Sequence, residues 1–257
     1  MADASVLRTE WLTPHMLRVV TDVTGFVPNG FTDAYVKLLF PVPGVVYPEP
    51  FDLQRIRAEL PREQWPRMRT YTVRAYDEQS GELTIDFVYH GDEGLAGPWA
   101  RNARPGDVLR FAGPGGAYAP SDEADWHLLA GDESALPAIG AALEAMPPGV
   151  PVHAVLEIDG PAEEQALSTK ADARITWLHR SADADLVTAV RELALPTGVG
   201  QAFVHGEAGF VKPLRRHLLD ERGLRKDLLS ISGYWRRGKD EDGWQAEKAA
   251  IRAAEPQ

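Results

Sequence analysis

The sequence predicts two domains of different classes, an antiparallel β-barrel followed by an α/β domain built on a parallel sheet. Up to about residue 120, short runs of strand-forming residues are separated by turn residues, which is typical of small antiparallel barrels. Beyond that point apolar strands alternate with helical stretches, the pattern of βαβ units. The length of 257 residues suits two modest domains. We therefore expect domains over residues 1–120 and 121–238 and a tail helix within residues 239–257.

The strands of the barrel are bounded by proline, glycine and polar turn residues. Pro41 ends the third strand, because proline has no N–H to continue a ladder. Six prolines between residues 41 and 68 predict an irregular excursion with one short helix at about residues 53–60. A turn at residues 77–81 joins two strands into a hairpin. In chain order, strands are predicted over residues 6–12, 16–21, 33–40, 69–76, 83–88 and 108–113.

The second domain begins after a polar segment at residues 121–125. Its crossovers must be right-handed, and parallel sheets of this kind bind ligands beyond the carboxyl ends of their strands. Strands are predicted over residues 126–130, 152–158, 174–179, 202–206 and 228–235. Helices are predicted at about residues 135–146, 184–193, 209–222 and 244–252.

Composition excludes several classes of function. Acidic residues outnumber basic ones 38 to 27, which gives a net charge of −11 and argues against nonspecific binding to nucleic acid or anionic membranes. The absence of cysteine excludes disulfides, thiolate metal sites and cysteine-ligated iron–sulfur clusters. The first residues lack the basic start and apolar run of a signal peptide, so we expect none, and no run of about 18 apolar residues is present. We expect a soluble, cytoplasmic monomer that binds no nucleic acid and does not insert into a membrane.

Residues 69–74, Arg-Thr-Tyr-Thr-Val-Arg, form the first candidate site. Side chains alternate along a strand, so Arg69 and Tyr71 point the same way. Arg69 could bind a pyrophosphate with both arms of its guanidinium, and Tyr71 offers a flat surface on which an isoalloxazine ring could stack. Thr72 could supply its N–H or hydroxyl to the N5/O4 edge of a flavin. The alternative is a strand with exposed arginines and a core tyrosine.

Residues 85–100 form the second candidate site, in which a strand leads through a glycine-rich turn into a short helix starting at about Pro98. The N–H groups at the start of a helix attract anions, and a glycine at position 97 would let a phosphate approach the backbone. These features suit the second face of the same pyrophosphate. The alternative is a plain glycine turn that caps a helix, with His90 as a hydrogen-bonded turn residue.

The α/β domain carries the candidate nicotinamide site. Residues 128–139 run from a strand into a helix without the Gly-x-Gly-x-x-Gly fingerprint, and Ser134 could cap that helix. His179 or Arg180 could meet an adenosine 2′-phosphate, which would favour NADPH. Small residues at 204–209 leave space where a nicotinamide could enter. The alternatives are an ordinary β–α connection, a solvated strand end and a core histidine at position 205.

Four segments together resemble the siderophore-interacting proteins, FAD-dependent ferric-siderophore reductases related to the vibriobactin-utilisation protein. The segments are residues 65–74, 86–91, 131–138 and 232–238, and the resemblance extends from about Thr9 to Gly238. It implies a ferredoxin-reductase-like layout, with an FAD-binding barrel followed by an NAD(P)-binding domain. The implied activity is NAD(P)H-dependent reduction of Fe(III) to Fe(II), an oxidoreductase reaction on metal ions that releases iron from siderophores.

The resemblance also assigns residues to each ligand. Many family members carry serine where Gly97 stands, so FAD is expected to bind somewhat more weakly here. The FAD contacts implied are Arg69, Thr70, Tyr71, Thr72, Arg74, Asp86, Phe87, Val88, His90, Gly97, Trp99 and Ala100. The residues assigned to NADPH or NADH are Gly131, Asp132, Glu133, Ala135, Arg180 and Glu207.

The iron substrate needs no metal ligands from the protein, because the iron arrives in its chelator and Fe(II) is held less tightly by hard oxygen ligands. By resemblance, Lys37 matches one basic position of the siderophore pocket. Two further basic positions fall near Gly115 and Ser230 and lack charge here. Positive charge could come instead from the C-terminal segment. That segment carries Arg236, Arg237 and Lys239, which could equally form a solvated basic turn beside acidic residues.

Two other functions stay open from the sequence. One is a flavin reductase that supplies electrons to a partner protein. The other is a protein that binds ferric siderophores without reducing them.

Overall fold

A computed structural model describes residues 1–182 and 185–254 of the chain. Its first half is a seven-stranded antiparallel sheet with the order β4-β3-β7-β1-β2-β6-β5. The strands are β1 (Ala2–Thr13), β2 (Met16–Val23), β3 (Tyr35–Phe40), β4 (Arg67–Thr72), β5 (Ala75–Asp77), β6 (Glu82–Val88) and β7 (Val108–Gly115). Two short helices accompany them, α1 (Leu53–Glu59) and α2 (Ala96–Asn102).

The sheet closes into a barrel at residues 73–74. Val73 N–H donates to Ala34 O (2.7 Å), next to β3, and Arg74 N–H donates to Thr84 O on β6 (2.9 Å). The chain between β4 and β5 therefore joins the two edges of the sheet. The single strand predicted over residues 69–76 is wrong at this point, because residues 73–74 leave the ladder with β3 to reach β6.

Alternation along the strands fills the interior of the barrel. On β6 the side chains of Leu83, Ile85 and Phe87 are fully buried in the core, and Phe111 on β7 joins them. Asp86 lies between two of these core residues in sequence, so its side chain faces away from the interior. This orientation turns Asp86 toward the second half of the molecule.

The second half is a five-stranded parallel sheet with the order β10-β9-β8-β11-β12. The chain winds outward from β8 in one direction and then returns to pair β11 on its other side. Its strands are β8 (Trp126–Asp132), β9 (Pro151–Ile158), β10 (Asp172–His179), β11 (Gly200–Glu207) and β12 (Leu229–Trp235). The topological switch point, where ligands bind in such sheets, lies between the carboxyl ends of β8 and β11.

Helices connect most of these strands. Helix α3 (Leu136–Ala145) is almost entirely buried because it packs between the sheet and the barrel side of the molecule. Helix α5 (Ala208–Arg216) contains Pro213 and continues as one wider π turn, so the predicted helix over residues 209–222 is not uniform. The further helices are α4 (Leu186–Glu192), α5 (Ala208–Arg216) and the tail helix α6 (Glu241–Ala254).

Two predictions fall partly outside the described residues. The start of the helix predicted at residues 184–193 includes residue 184, which is not described, and α4 begins at Leu186. The last three residues of the tail predicted over 239–257 are also outside the described part. Among the described residues, no helix is long and apolar enough to cross a membrane.

Candidate functional site

The first candidate motif lies on β4, at the edge where the barrel closes. Arg69 and Tyr71 pair with Leu38 and Val36, both fully buried, so the two side chains share the inner side of the sheet as the alternation predicts. The Tyr71 ring packs against Phe87 with 4.4 Å between ring centroids. Burial raises the pKa of the Tyr71 hydroxyl. One side of this ring therefore belongs to the barrel core.

The backbone and arginines of β4 attract carboxylates from the tail helix. Glu241 Oε1 accepts a hydrogen bond from Thr70 N–H (3.2 Å), and Glu241 Oε2 lies 3.7 Å from Arg69 Nε. Asp242 lies 3.6 Å from Arg69 and 3.7 Å from Arg67. Two guanidinium groups and one N–H thus meet two carboxylates of the same chain. A donor set of this kind fits a phosphate group, for which the carboxylates are a chemical stand-in.

The second candidate motif contributes largely to packing. Phe87 and Ala100 are fully buried, and Trp99 packs against Phe87 with 5.9 Å between ring centroids. A Cβ at Gly97 would lie 3.4 Å from Val88 O, an ordinary van der Waals contact, so the packing of α2 against β6 does not by itself require glycine there. His90 is exposed in the turn between them. The assignment of these residues to FAD stays a prediction.

Arg74 and Asp86 meet in an ion network between the barrel and α3. Arg18 donates to both carboxylate oxygens of Asp86 (2.7 and 2.8 Å), and Arg74 Nε lies 4.0 Å from Asp86. Arg74 also donates twice to Glu144 on α3 (2.5 and 2.9 Å). A cleft of 280 Å³ is lined by Arg18, Arg74 and Asp86 together with Leu136 and Pro137. The cleft brings residues of both barrel motifs to the start of α3, which lies within the predicted nicotinamide segment.

Asp132 connects three strand ends at the switch point. It is buried at the end of β8, and one oxygen accepts from Ser134 N–H (2.9 Å) and from the Ser134 hydroxyl (2.6 Å). The other oxygen accepts from Glu207 N–H (2.7 Å), at the end of β11, and from Trp235 Nε1–H (2.8 Å), at the end of β12. Burial raises the pKa of Asp132 to about 6. Asp132 therefore holds the floor of the predicted nicotinamide site together.

The prediction that Ser134 caps α3 is wrong. Ala135 occupies the N-cap position and no side chain caps the helix, because the Ser134 hydroxyl is already committed to Asp132. A side chain at Gly131 would lie 2.6 Å from the Ala135 methyl group, and one at Gly206 would lie 2.6 Å from the Asp132 carboxylate. Gly206 also has a φ of 137°, which favours glycine. The close approach of β8, β11 and α3 thus requires these small residues.

Arg180 follows β10 and contacts two carboxylates. Its Nη2 donates to Glu133 Oε1, and its Nη1 lies 3.4 Å from Glu157 Oε1 at the end of β9. The neighbouring His179 pairs with Glu164 across 2.9 Å. The structure therefore brings the predicted residues Glu133 and Arg180 together, and it adds Glu157, which sequence reasoning missed.

The uncharged positions of the predicted siderophore pocket have structural explanations. A side chain at Gly115 would overlap the Tyr35 ring, and the Ser230 hydroxyl is hydrogen-bonded to His205 Nε2 (2.9 Å). His205 is buried, which lowers its pKa to about 3 and keeps the ring neutral. Lys37 is exposed on the outer side of β3, opposite Thr70.

The basic residues of the C-terminal segment are partly engaged within the chain. Arg236 and Lys239 lie 3.2 and 3.3 Å from Glu247 on α6, while Arg237 is exposed and its N–H donates to Glu207 (3.1 Å). Lys248 on α6 donates to the Ser232 hydroxyl (2.7 Å) and to Gly233 O (3.0 Å). Lys248 therefore brings a positive charge to the end of β12, next to the uncharged Ser230 position.

Several residues missed from the sequence act through a partner far along the chain. Trp235 is 103 positions from Asp132, and Glu241 is 171 positions from Thr70. For Glu157 a usable signal existed, because an acidic residue at the end of the second strand of a dinucleotide-binding half contacts ribose. For Arg18, Glu241 and Lys248 the sequence held no such signal.

Comparison with known proteins matches both halves of the chain. Residues 5–118 match the family model of the siderophore-interacting FAD-binding domain, and residues 124–238 match that of the siderophore-interacting protein. Ferric vibriobactin reductase ViuB of Vibrio cholerae is 35% identical over 95% of this chain and 93% of its own. The NADPH-dependent ferric-chelate reductase of Escherichia coli is 32% identical over 91% of this chain and 92% of its own.

Solved structures agree with this assignment. The siderophore-interacting protein SipS of Aeromonas hydrophila is 31% identical, with a TM-score of 0.80 over 98% of each chain. The ferredoxin reductase in carbazole 1,9a-dioxygenase, at 15% identity and a TM-score of 0.65, matches 91% of this chain and 69% of its own, which shows the shared fold alone. The barrel and parallel sheet are thus a ferredoxin-reductase-like pair, and the chain belongs to the siderophore-interacting protein family.

Proposed function

We propose that this protein is an FAD-dependent NAD(P)H:ferric-siderophore reductase that releases iron by reducing Fe(III) to Fe(II). The observation that carries the proposal is the donor set of β4, where Arg67, Arg69 and Thr70 N–H form an anion site beside Tyr71. This site lies in the half that matches a siderophore-interacting FAD-binding domain. Relatives named as ferric reductases support the reaction class.

The barrel residues would bind and orient FAD. Arg69 and Thr70 N–H would hold a phosphate group, and the ring of Tyr71 would provide an aromatic surface next to it. Thr72, at the end of β4, would present its backbone where the chain crosses to β6. When bound, FAD would accept a hydride from NAD(P)H. It would then release the two electrons one at a time, one to each of two ferric complexes.

The parallel sheet would bind the nicotinamide dinucleotide at its switch point. Asp132 fixes the positions of Glu207 N–H and Trp235, and Gly131 and Gly206 keep the space between β8 and β11 narrow. This edge of the sheet is surrounded by Glu133, Ala135, Arg180 and Glu207. Their role would be to orient the nicotinamide, as such crevices do in related folds.

The ferric siderophore is the substrate, and the protein would recognise the chelator rather than the metal. Lys37 on the outer side of β3 and Arg237 after β12 are exposed and could attract an anionic chelate. Arg236 would contribute after releasing Glu247. We further propose that the protein acts as a monomer in the cytoplasm, where both NAD(P)H and imported siderophores are present.

Anaerobic stopped-flow spectroscopy tests the proposal. We expect the purified protein to bind FAD, the flavin absorbance to bleach with NADH or NADPH, and the colour to return when a ferric siderophore is added. A ferrous chelator should trap Fe(II) in the same reaction. Failure to bind FAD, or reduced flavin that passes electrons to a protein acceptor and to no member of a siderophore panel, would contradict the proposal.

A further inference from the structure

We propose that Glu133, Glu157 and Arg180 make this protein discriminate against a ribose 2′-phosphate, so that NADH is its preferred electron donor. This inference rests on the proposed function, because it concerns the nicotinamide dinucleotide of that reaction. It names which of the two dinucleotides the site accepts, and it assigns a selective role to Glu157.

The three residues lie where the adenosine ribose of a dinucleotide is bound in such folds. Strands β8, β9 and β10 form the first half of the parallel sheet, and Glu157 stands directly beside Asp132 in the register of β9 and β8. An acidic residue at the end of the second strand typically accepts hydrogen bonds from the ribose hydroxyls of NAD, whereas an arginine nearby accommodates the phosphate of NADP. This chain carries both kinds of residue at that place.

The arginine is held by the two carboxylates. Arg180 contacts both Glu133 and Glu157, and these carboxylate side chains are only 12% and 17% exposed. Glu157 is fixed from a second side, because its other oxygen accepts from Leu186 N–H (3.3 Å) at the start of α4. The guanidinium is therefore part of a half-buried network that is already complete without a ligand.

The other basic candidate is also paired. His179 Nε2 lies 2.9 Å from Glu164, so its approach to a phosphate would also require the loss of a contact. The network contains two carboxylates and one guanidinium, so negatively charged groups outnumber the positive one. The end of β9 and β10 is thus negative rather than positive.

A 2′-phosphate and a 2′-hydroxyl interact with this network in opposite ways. A phosphate monoester carries nearly two negative charges at neutral pH, so it would be repelled by the carboxylates unless Arg180 left both of them. That movement would leave two half-buried carboxylates without their cation. A hydroxyl can instead donate a hydrogen bond to Glu157 while Arg180 stays in place.

The test compares two dinucleotides and two fragments on the same FAD-loaded protein. We expect kcat/KM for flavin reduction to be at least about tenfold higher with NADH than with NADPH, as like charges at a half-buried site would give. Calorimetry should show the same order for binding alone, with 5′-AMP bound more tightly than 2′,5′-ADP. The binding measurement does not depend on electron transfer.

Substitutions then test which residues cause the discrimination against the 2′-phosphate. The double variant Glu133→Gln, Glu157→Gln is expected to bind 2′,5′-ADP about tenfold more tightly than the wild type, because the repulsion is gone and Arg180 is released. Glu123→Gln is the matched control. It removes a carboxylate that pairs with Arg225 at the amino end of β8, so both fragments should bind it as they bind the wild type.

Preference for NADPH would overturn the inference, and so would a selective tenfold loss of NADPH activity in Arg180→Ala. In that case the arginine leaves the carboxylates and binds the phosphate. Flavin that is reduced by neither dinucleotide would contradict the proposed function instead, and the order of binding of the two fragments would still decide the inference.

Discussion

At the scale of single residues, one buried carboxylate organises the switch point. Asp132 accepts four hydrogen bonds from three segments, and two of these donors, Glu207 N–H and Trp235 Nε1–H, lie on other strands. A buried carboxylate is stable only when its oxygens are hydrogen-bonded. Asp132 therefore links the strand geometry of the sheet to the position of a tryptophan at its edge.

Asp132 should make stability depend on pH. Its pKa is raised from 3.8 to about 6, so the folded protein binds this proton more tightly than the unfolded chain does. The contribution to the free energy of unfolding is then largest below about pH 4 and is lost as the pH rises through 6. Relative to Asp132→Asn, the stability of the wild type should decrease by up to about 3 kcal/mol between pH 4 and pH 7. Urea unfolding measures this gap, and a gap that stays constant over that range would contradict the raised pKa.

Arg69 is expected to carry much of the FAD affinity. Arg69→Ala should weaken FAD binding by about 1.5–3 kcal/mol, the usual contribution of a hydrogen bond to a charged group. Fluorescence titration of the apoprotein with FAD measures the change. Arg55→Ala serves as control, because Arg55 pairs with Glu59 on the exposed surface of α1. Unchanged affinity in Arg69→Ala would mean that the pyrophosphate binds elsewhere.

At the scale of elements, the tail helix and β4 meet at one patch, where carboxylates of the helix face arginines of the strand. Trp244 is buried and its indole N–H approaches Gly233 O (3.4 Å), and Lys248 is bonded to Ser232 and Gly233, so α6 is attached to β12. From this anchor its first turn places Glu241 on Thr70 N–H and Arg69. The tail helix therefore supplies the carboxylates that meet the predicted phosphate site.

Removal of these carboxylates should strengthen FAD binding. The double variant Glu241→Gln, Asp242→Asn is expected to bind FAD several-fold more tightly, by about 1 kcal/mol, because competing negative charge near Arg69 is gone. Burial raises the pKa of Glu241, so the wild type should approach the variant as the pH falls and that carboxylate is neutralised. FAD titrations at pH 5 and pH 8 measure both effects, with Glu59→Gln as control. Weaker binding in the variant would show that the carboxylates assist FAD.

At the scale of the whole molecule, ionic and hydrogen-bonded contacts join the barrel to the parallel sheet. Arg74 of the barrel binds Glu144 of α3, and Glu163 accepts from the Thr13 hydroxyl (2.5 Å) and lies 2.8 Å from His15 Nδ1. Glu163 is only 5% exposed. These contacts hold the barrel and the parallel sheet in one arrangement, which hydride transfer between their ligands would require under the proposed function.

Glu163→Ala should loosen this arrangement. It leaves the buried Thr13 hydroxyl without its acceptor, and we expect the free energy of unfolding to fall by about 1–3 kcal/mol. Calorimetry should show the single transition broadening or splitting as the two halves unfold less cooperatively. Glu123→Gln, on the exposed surface, is the control. An unchanged transition would show that packing alone holds the halves together.

The class of each half and most of its elements could be predicted from the sequence, because local periodicity and turn residues determine whether a segment forms a strand or a helix. The β4 motif was recognisable for the same reason, since Arg69 and Tyr71 share a face through alternation alone. The break at residues 73–74 could not be predicted, because it depends on where the first sheet meets itself. The sequence by itself determined the fold class, the family and the residues of each motif.

Only the tertiary structure decided which of those residues meet. The contacts of Asp132 with Trp235, of Arg180 with Glu157 and of Arg69 with Glu241 join segments that are distant in sequence. They form because parallel strands end at the same edge of a sheet and because the tail helix returns to the barrel. Distances and charges between such segments are set by packing, which no local pattern in the sequence records.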